Sequence, residues 1–312
     1  MFKNKKIFIS WWNGVIWNEL VKKLYEQWAK LFIGDLKAKP KERPEDILYR
    51  EWDLNYVTKE ELENFWPEYY FHLAATFERT EETYEFWEEN FWHNVRLSHY
   101  LMTLMKEIPS LRRVIFASSY LIYDPKLYLS NESRKKVWRL KETDPIKPRN
   151  LTWVAKLNHE IELHFLDEFK SKQFTSISAR IYRSYWKWSR DIISRWIRAL
   201  LNREELVVYK KEWKFDYIFA WEVAEWLIRM AVSNNSWIYN LWNDNARSIE
   251  EVLIALKSFF PAMKYIEKED NILYEWSQAN MDLSYKIFGR KPSVQIEEWI
   301  SLIIEHEKNF KS

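Results

Sequence analysis

Residues 11–17 read Trp-Trp-Asn-Gly-Val-Ile-Trp and follow a short apolar run, residues 5–10, with the length and composition of a buried strand. An amphipathic stretch, Val15–Gln27, comes next. Strand, tight turn and helix in this order open a βαβ unit, and such a turn can hold a pyrophosphate. Backbone N–H groups at the helix start point at the anion, and the helix dipole favours its charge. The turn needs glycine, which tolerates positive φ and lets backbone approach a ligand closely. Trp11 and Trp17 occupy two of the three places where glycine is wanted, with Gly14 between them. Asp35 ends a second apolar run, residues 30–34, at 18 residues beyond position 17. A carboxylate at that spacing accepts from a ribose 2′-hydroxyl and repels a 2′-phosphate, which favours NAD over NADP.

Composition supports a particular view of those tryptophans. The chain has 20 Trp and only 3 Gly in 312 residues. Glycine averages about 7% of residues, or roughly 22 here, and Trp and Gly together number 23. Many Trp fall in turn contexts, as in Trp186-Lys187-Trp188-Ser189 and Asn240-Leu241-Trp242-Asn243-Asp244. The expectation is that most stand for glycine, as when UGA is read as Gly in the cell and written as Trp in translation. A composition rich in Lys, Ile, Asn, Phe and Tyr fits the AT-rich DNA of such lineages. Trp196, inside the helical run 192–201, reads as an ordinary tryptophan, while Trp87, Trp92, Trp138 and Trp276 fit either residue. With glycine at 11 and 17 the turn becomes GxxGxxG.

The elements that must position this site follow from periodicity. Strands are expected at 5–10, 30–34, 69–75 and 113–118, with helices at 59–65 and 81–107 between them. A polar loop (124–147), a long helix (151–169) and a strand (175–181) come next. Beyond them are expected helices at 189–203, 221–232, 248–258 and 296–309, and strands at 206–209, 215–219 and 237–241. Alternating strands and helices imply a Rossmann-type α/β fold, a doubly wound parallel sheet with helices on both faces. The expected NAD-binding domain is 1–178, rejoined by segments within about 214–242, and a smaller, mostly helical substrate domain is 179–312.

Bulk properties narrow the function. The net charge of +2, with signs interspersed, leaves no basic stripe for nucleic acid. Zero Cys excludes disulfides, thiolate metal sites and a cysteine nucleophile. The six His lack metal-ligand spacing; His72, in an apolar strand, suits a core role. No apolar run reaches the roughly 18–20 residues that cross a membrane, and no signal-type segment opens the chain, so a cytoplasmic protein is expected.

Several short motifs then fall in a telling order: position 52 as glycine before Asp53-Leu54, His72-Leu73-Ala74-Ala75, Phe116-Ala117-Ser118-Ser119 with Tyr123, Lys156, Phe215-Asp216-Tyr217, and Asn240-Leu241 before position 242. On these residues, over nearly its whole length, the chain resembles the extended short-chain dehydrogenase/reductase family, in its NAD-dependent epimerase/dehydratase, sugar-nucleotide epimerase-like group. The resemblance implies NAD held by Trp11, Asn13, Gly14, Val15, Ile16, Trp17 and Asp35. It places Asp53 and Leu54 beside the adenine, Leu73, Ala74 and Ala75 along the cofactor groove, Asn94 in support of the site, and Lys156 on the nicotinamide ribose. Thr76, Ser119, Tyr120, Arg183 and Arg190 are the implied substrate contacts. The implied activity is that of an epimerase or oxidoreductase acting on a sugar or nucleotide sugar by hydride transfer. A homodimer through helices 81–107 and 151–169 is also implied.

The resemblance exposes a gap. The family pairs Ser or Thr with Tyr-x-x-x-Lys, in which the phenol exchanges a proton with the substrate hydroxyl. Here Ser119 and Lys156 are present, but Thr152 stands four residues before the lysine. Three readings are open: Thr152 holds a relaying water or hydroxyl, Tyr120 supplies the phenol, or redox catalysis is lost and the fold serves as an NAD-binding sensor or scaffold. Tyr120 and Leu121 replace the Asp-Glu pair of 4,6-dehydratases, which argues against that elimination. Phe215 and Arg183 replace the family's Arg and Asn on the diphosphate side.

Overall fold

The computed structural model describes residues 1–10, 14–39, 44–76, 82–134, 136–170, 173–187, 189–289 and 295–311. Seven strands form the central sheet, in the order Trp237–Leu241, Thr175–Ile181, Arg113–Ser119, Tyr69–His72, Lys6–Ser10, Lys30–Asp35, Leu48–Glu51. Every pairing is parallel. The inner strands are apolar almost throughout because helices cover both faces. The helix Val15–Glu26 packs with Ala220–Val232 on one face, over Ile7, Ile9, Ile115 and Ile177. Leu97–Met105 and Leu151–Lys170 cover the other, over Phe8, Tyr70, Val114 and Phe116. Adjacent strand residues therefore feed opposite cores, as the period of two requires.

Two features of the expected element map are refined by tertiary context. The stretch read as one helix, 81–107, is a helix at Tyr84–Asn90, a π-helical turn at Phe91–Arg96 and a helix at Leu97–Met105. The π turn rotates Asn94 inward, where it is 4% exposed. The polar loop 124–147 carries two short strands, Leu129–Ser130 and Trp138–Leu140, that cross to the second lobe and pair with Tyr274–Ala279. That last strand lies in a segment for which the hydropathy pattern had suggested no element.

The strand Thr175–Ile181 stays in the main sheet along its whole length. The chain then builds a second lobe from strands Arg183–Tyr185, Lys214–Phe219, Ala246–Ser248 and Tyr274–Ala279 and helices Ile192–Leu201, Ile249–Phe259 and Ile296–Lys311. Its core holds Trp196, on the helix where a tryptophan reads as ordinary. Helix Ala220–Val232 and strand Trp237–Leu241 return to the main sheet. Among the described residues no helix is long and apolar enough to cross a membrane, and no group of three or more His, Cys, Asp and Glu could hold a metal ion.

Two buried polar networks tie the sheet to its helices. His72 bonds Ser10 Oγ through Nδ1 (2.6 Å) and Ser98 Oγ through Nε2 (2.7 Å), and burial pushes its pKa well down, so it is a neutral core residue. Arg180 donates to both carboxylate oxygens of Glu160 (3.2 and 2.8 Å), lies over the Tyr123 ring and reaches the Glu142 carbonyl. Both side chains of the pair are 1% exposed. Removing one partner strands a buried charge. Arg180→Met is expected to cost about 3–5 kcal/mol in urea unfolding, and the paired change Arg180→Met/Glu160→Leu distinctly less.

Candidate functional site

Strand Lys6–Ser10 leads to residues 11–13, which include the expected contacts Trp11 and Asn13 and lie outside the described residues. Gly14 is extended (φ −133°) and precedes helix Val15–Glu26 without a side-chain cap. The amides that begin this helix, those of Val15 and Ile16 among them, therefore have no helical acceptor. Trp17 is 2% exposed and sits in the core between helix and sheet.

Asp35 ends Lys30–Asp35, buried, and accepts from the Lys37 amide (2.9 Å). A Cβ on Gly34 before it would lie 2.2 Å from Leu54 Cδ2, so a larger residue there requires the Leu54 side chain to move. This close approach draws the loop carrying Asp53 and Leu54 against the end of the strand. Asp53 Oδ1 accepts from the Asn55 amide and side chain (both 2.9 Å), and Oδ2 from the Trp92 indole (2.7 Å). Burial raises the Asp53 pKa, but these hydrogen bonds outweigh it and hold the carboxyl below its usual range.

On the next strand, Leu73, Ala74 and Ala75 follow Tyr69–His72, and the Leu73 amide donates to Ser10 carbonyl oxygen (3.0 Å). Asn94 grips the following residue: its Oδ1 accepts from the Thr76 amide and its Nδ2 donates to Thr76 Oγ1 (both 2.7 Å) and to Asn90 Oδ1 (2.6 Å). The asparagine read as a support thus fixes the strand end from the helix side.

Ser119 ends Arg113–Ser119 and accepts from the Leu121 amide (3.3 Å), starting the tight turn Tyr120–Ile122. Lys156 reaches the same strand from helix Leu151–Lys170, donating to the Ala117 carbonyl with its ammonium 5.1 Å from the Phe116 ring. Burial pulls its pKa down to about 8, against a smaller opposing effect of Glu160. Thr152, one helical turn earlier and 1% exposed, has no hydrogen-bond partner for Oγ1 among the described residues.

Tyr120 belongs to a different cluster. Its ring stacks on Tyr182 (4.2 Å, 13°) and its phenol donates to Glu275 Oε1 (2.9 Å). Glu275 also accepts from Arg183 through Oε2 and from Ser277 through Oε1 (both 2.8 Å). Arg183, lying over Phe215, is therefore charge-compensated; burial lowers its pKa, and the Glu275 carboxylate more than reverses this. Arg190 and Arg195 are exposed near the start of helix Ile192–Leu201. Glu275 escaped the sequence reading: it lies 155 residues from Tyr120, in the strand that hydropathy did not reveal. Its one available signal was the isolated carboxylate in Tyr274-Glu275-Trp276, flanked by aromatics.

The seven-stranded parallel sheet with helices on both faces makes this a Rossmann-type α/β fold, and Asp35, Ser119 and the Lys156 contact lie at the carboxyl ends of its strands. No protein-family model matches the chain, and no curated protein does. Solved structures do. The UDP-N-acetylglucosamine 4-epimerase of Methanobrevibacter ruminantium M1, in complex with UDP-N-acetylmuramic acid, superposes with a TM-score of 0.84 at 21% identity, over 99% of each chain. TunA, an NAD-dependent NDP-hexosamine 5,6-dehydratase involved in tunicamycin biosynthesis, gives 0.80 at 20% over 98% of each. The UDP-glucose 4-epimerase of Thermotoga maritima gives 0.79 at 18%, over 98% of this chain and 99% of that one. The chain has the fold of these nucleotide-sugar enzymes from end to end.

Proposed function

We propose that the protein is a cytoplasmic, NAD-dependent epimerase or oxidoreductase acting on a sugar or nucleotide sugar, and that most of its Trp positions carry glycine in the cell. One observation carries the enzymatic reading: Ser119 and Lys156 converge on the end of strand Arg113–Ser119, in the sheet whose neighbouring strands present the open helix terminus and Asp35. Those residues suit NAD. On this reading Asp35 accepts from a ribose hydroxyl, the Val15 and Ile16 amides donate to the pyrophosphate, and Lys156 holds the nicotinamide ribose. When bound, the nicotinamide supplies hydride transfer. The nucleotide-sugar ligands named for the similar structures support that substrate class.

The glycine reading draws support from backbone and packing. Trp28, Trp66 and Trp237 have φ of 63°, 61° and 140°, conformations that glycine adopts freely and tryptophan at a cost. The Trp242 ring centroid lies 2.9 Å from that of Tyr182, whereas aromatic pairs sit about 4.5–7 Å apart. The indole nitrogens of Trp153, Trp213, Trp226, Trp276 and Trp299 are buried with no acceptor among the described residues, and an unmet buried donor costs about 1–3 kcal/mol. Glycine relieves every one of these.

The test uses protein from a gene with glycine at each UGA. NAD should bind, and addition of UDP-sugars should raise the absorbance of reduced nicotinamide. NAD binding without any hydride transfer would favour the second reading, a non-catalytic sensor or scaffold, which Thr152 supports. A homodimer fits the surface: Val154, Ile161 and Phe165 on Leu151–Lys170, with Tyr84, Trp87 and Phe91 beside them, leave apolar side chains exposed on two neighbouring helical segments. Phe165→Glu is expected to halve the mass seen by light scattering while leaving the fold intact.

A further inference from the structure

We propose that Tyr120 and Glu275 form the acid–base pair of this site and take the place of the phenol missing at 152; the inference rests on the enzymatic reading above. The two residues come from opposite lobes. Tyr120 follows Ser119 at the carboxyl end of a main-sheet strand, and Glu275 stands in the second-lobe strand Tyr274–Ala279. Their contact, phenol O–H to Oε1 at 2.9 Å, spans 155 residues of sequence. It is the geometry of a hydroxyl held by its own base.

The carboxylate is prepared for this role. It is 5% exposed; Arg183 donates to Oε2, and Ser277 and Tyr120 both donate to Oε1, which fixes the carboxylate against the phenol. The charged and titratable groups facing Tyr120 include Arg183, Glu275, Tyr128, Arg149 and the stacked Tyr182. Thr152 offers nothing comparable: an aliphatic hydroxyl is a far weaker acid than a phenol, and its Oγ1 contacts no base among the described residues.

Access follows from the glycine reading. Trp242 is the side chain that closes the Tyr120–Tyr182 stack, at 5.6 Å from Tyr120 and overlapping Tyr182. Glycine at 242 removes that indole and opens the ring edges to a ligand. The Tyr182 ring packs against that indole, and its hydroxyl is buried without a hydrogen-bond partner among the described residues.

The step is a proton transfer. The substrate O–H bond breaks and its proton joins the Tyr120 oxygen; the phenol O–H breaks and its proton joins Glu275 Oε1. The negative charge passes from the carboxylate to the substrate oxygen, and Arg183, no longer neutralised, favours the alkoxide. The reverse transfer restores the resting state.

The experiment compares Tyr120→Phe, Glu275→Gln, Glu275→Asp and Thr152→Ala in the glycine-bearing protein. NAD affinity is followed by fluorescence, and single-turnover reduction of NAD by a UDP-sugar across pH. Expected are native NAD affinity throughout, a loss of about 10²–10⁴-fold in rate for Tyr120→Phe and Glu275→Gln, and disappearance of the acid-side fall of the pH profile in Glu275→Gln. Glu275→Asp should recover part of the rate, which a purely structural role in pairing Arg183 does not require. Should Glu275→Gln prove unfolded, Tyr120→Phe, which keeps the ring packing, decides. A native rate in Tyr120→Phe, an unchanged pH profile in Glu275→Gln, or a loss confined to Thr152→Ala would overturn the pair. Failure of the unsubstituted protein to bind NAD would overturn the functional reading itself, and is seen before any variant is made.

Discussion

Protein bearing glycine at the UGA positions should bind NAD at least about 10³-fold more tightly than protein bearing tryptophan there, a difference of about 4 kcal/mol. The pyrophosphate must approach the backbone within hydrogen-bond distance, so a side chain on the turn blocks the ligand outright. Position 17 adds a packing cost, since its side chain sits 2% exposed between helix and sheet, where the third glycine of such turns lets the two approach closely. The glycine protein should also melt higher, because positions 28, 66 and 237 cease to hold a large residue at positive φ. Calorimetric titration of the two proteins with NAD measures the first effect and thermal melts the second. Peptide masses of protein from the native cell settle the residue directly, and UGG codons at these positions would end the idea.

Lys156→Met should lower turnover by a comparable factor, about 10²–10⁴-fold, and yet leave the fold at least as stable at neutral pH. The two parts have one cause. Burial holds the Lys156 ammonium at a pKa of about 8, below the ordinary lysine value of 10.5. The unfolded chain therefore binds more protons between those limits. The sign follows from linkage: native stability contributed by this group rises as pH climbs from about 8 toward 10.5, and below 8 the buried charge is a standing cost. Methionine fills similar space without that cost. Stability measured from pH 7 to 10.5 should thus rise less steeply in Lys156→Met than in the parent. Activity that depends on the charged lysine should decline above pH 8 in the parent. A variant that melts lower at every pH would mean that the bond to the Ala117 carbonyl outweighs desolvation.

Much of this arrangement was legible in the chain. The strands expected at 5–10, 30–34, 69–75 and 113–118 became neighbouring parallel strands, the third ending earlier, at His72, because a strand buried on both faces needs an unbroken apolar sequence. The helical character around Asn94 was legible, although the π turn that aims it inward was not, since helical periodicity does not register one extra residue in a turn. Strand Tyr274–Ala279 was missed for a related reason. It pairs with segments from positions 129–140 and 214–215, and its neighbours there, rather than its own alternation, make it a strand.

The chain by itself determined the alternation of helices with six of the seven main-sheet strands, all but Leu48–Glu51, together with the spacing of position 35 from the first strand and the absence of a tyrosine at 152, because periodicity and local spacing act over short separations. Tertiary structure alone decided that Tyr120 meets Glu275, that Arg183 is neutralised there, and that Lys156 is desolvated. Burial and charge pairing depend on which distant segments share a space, and no local pattern encodes that.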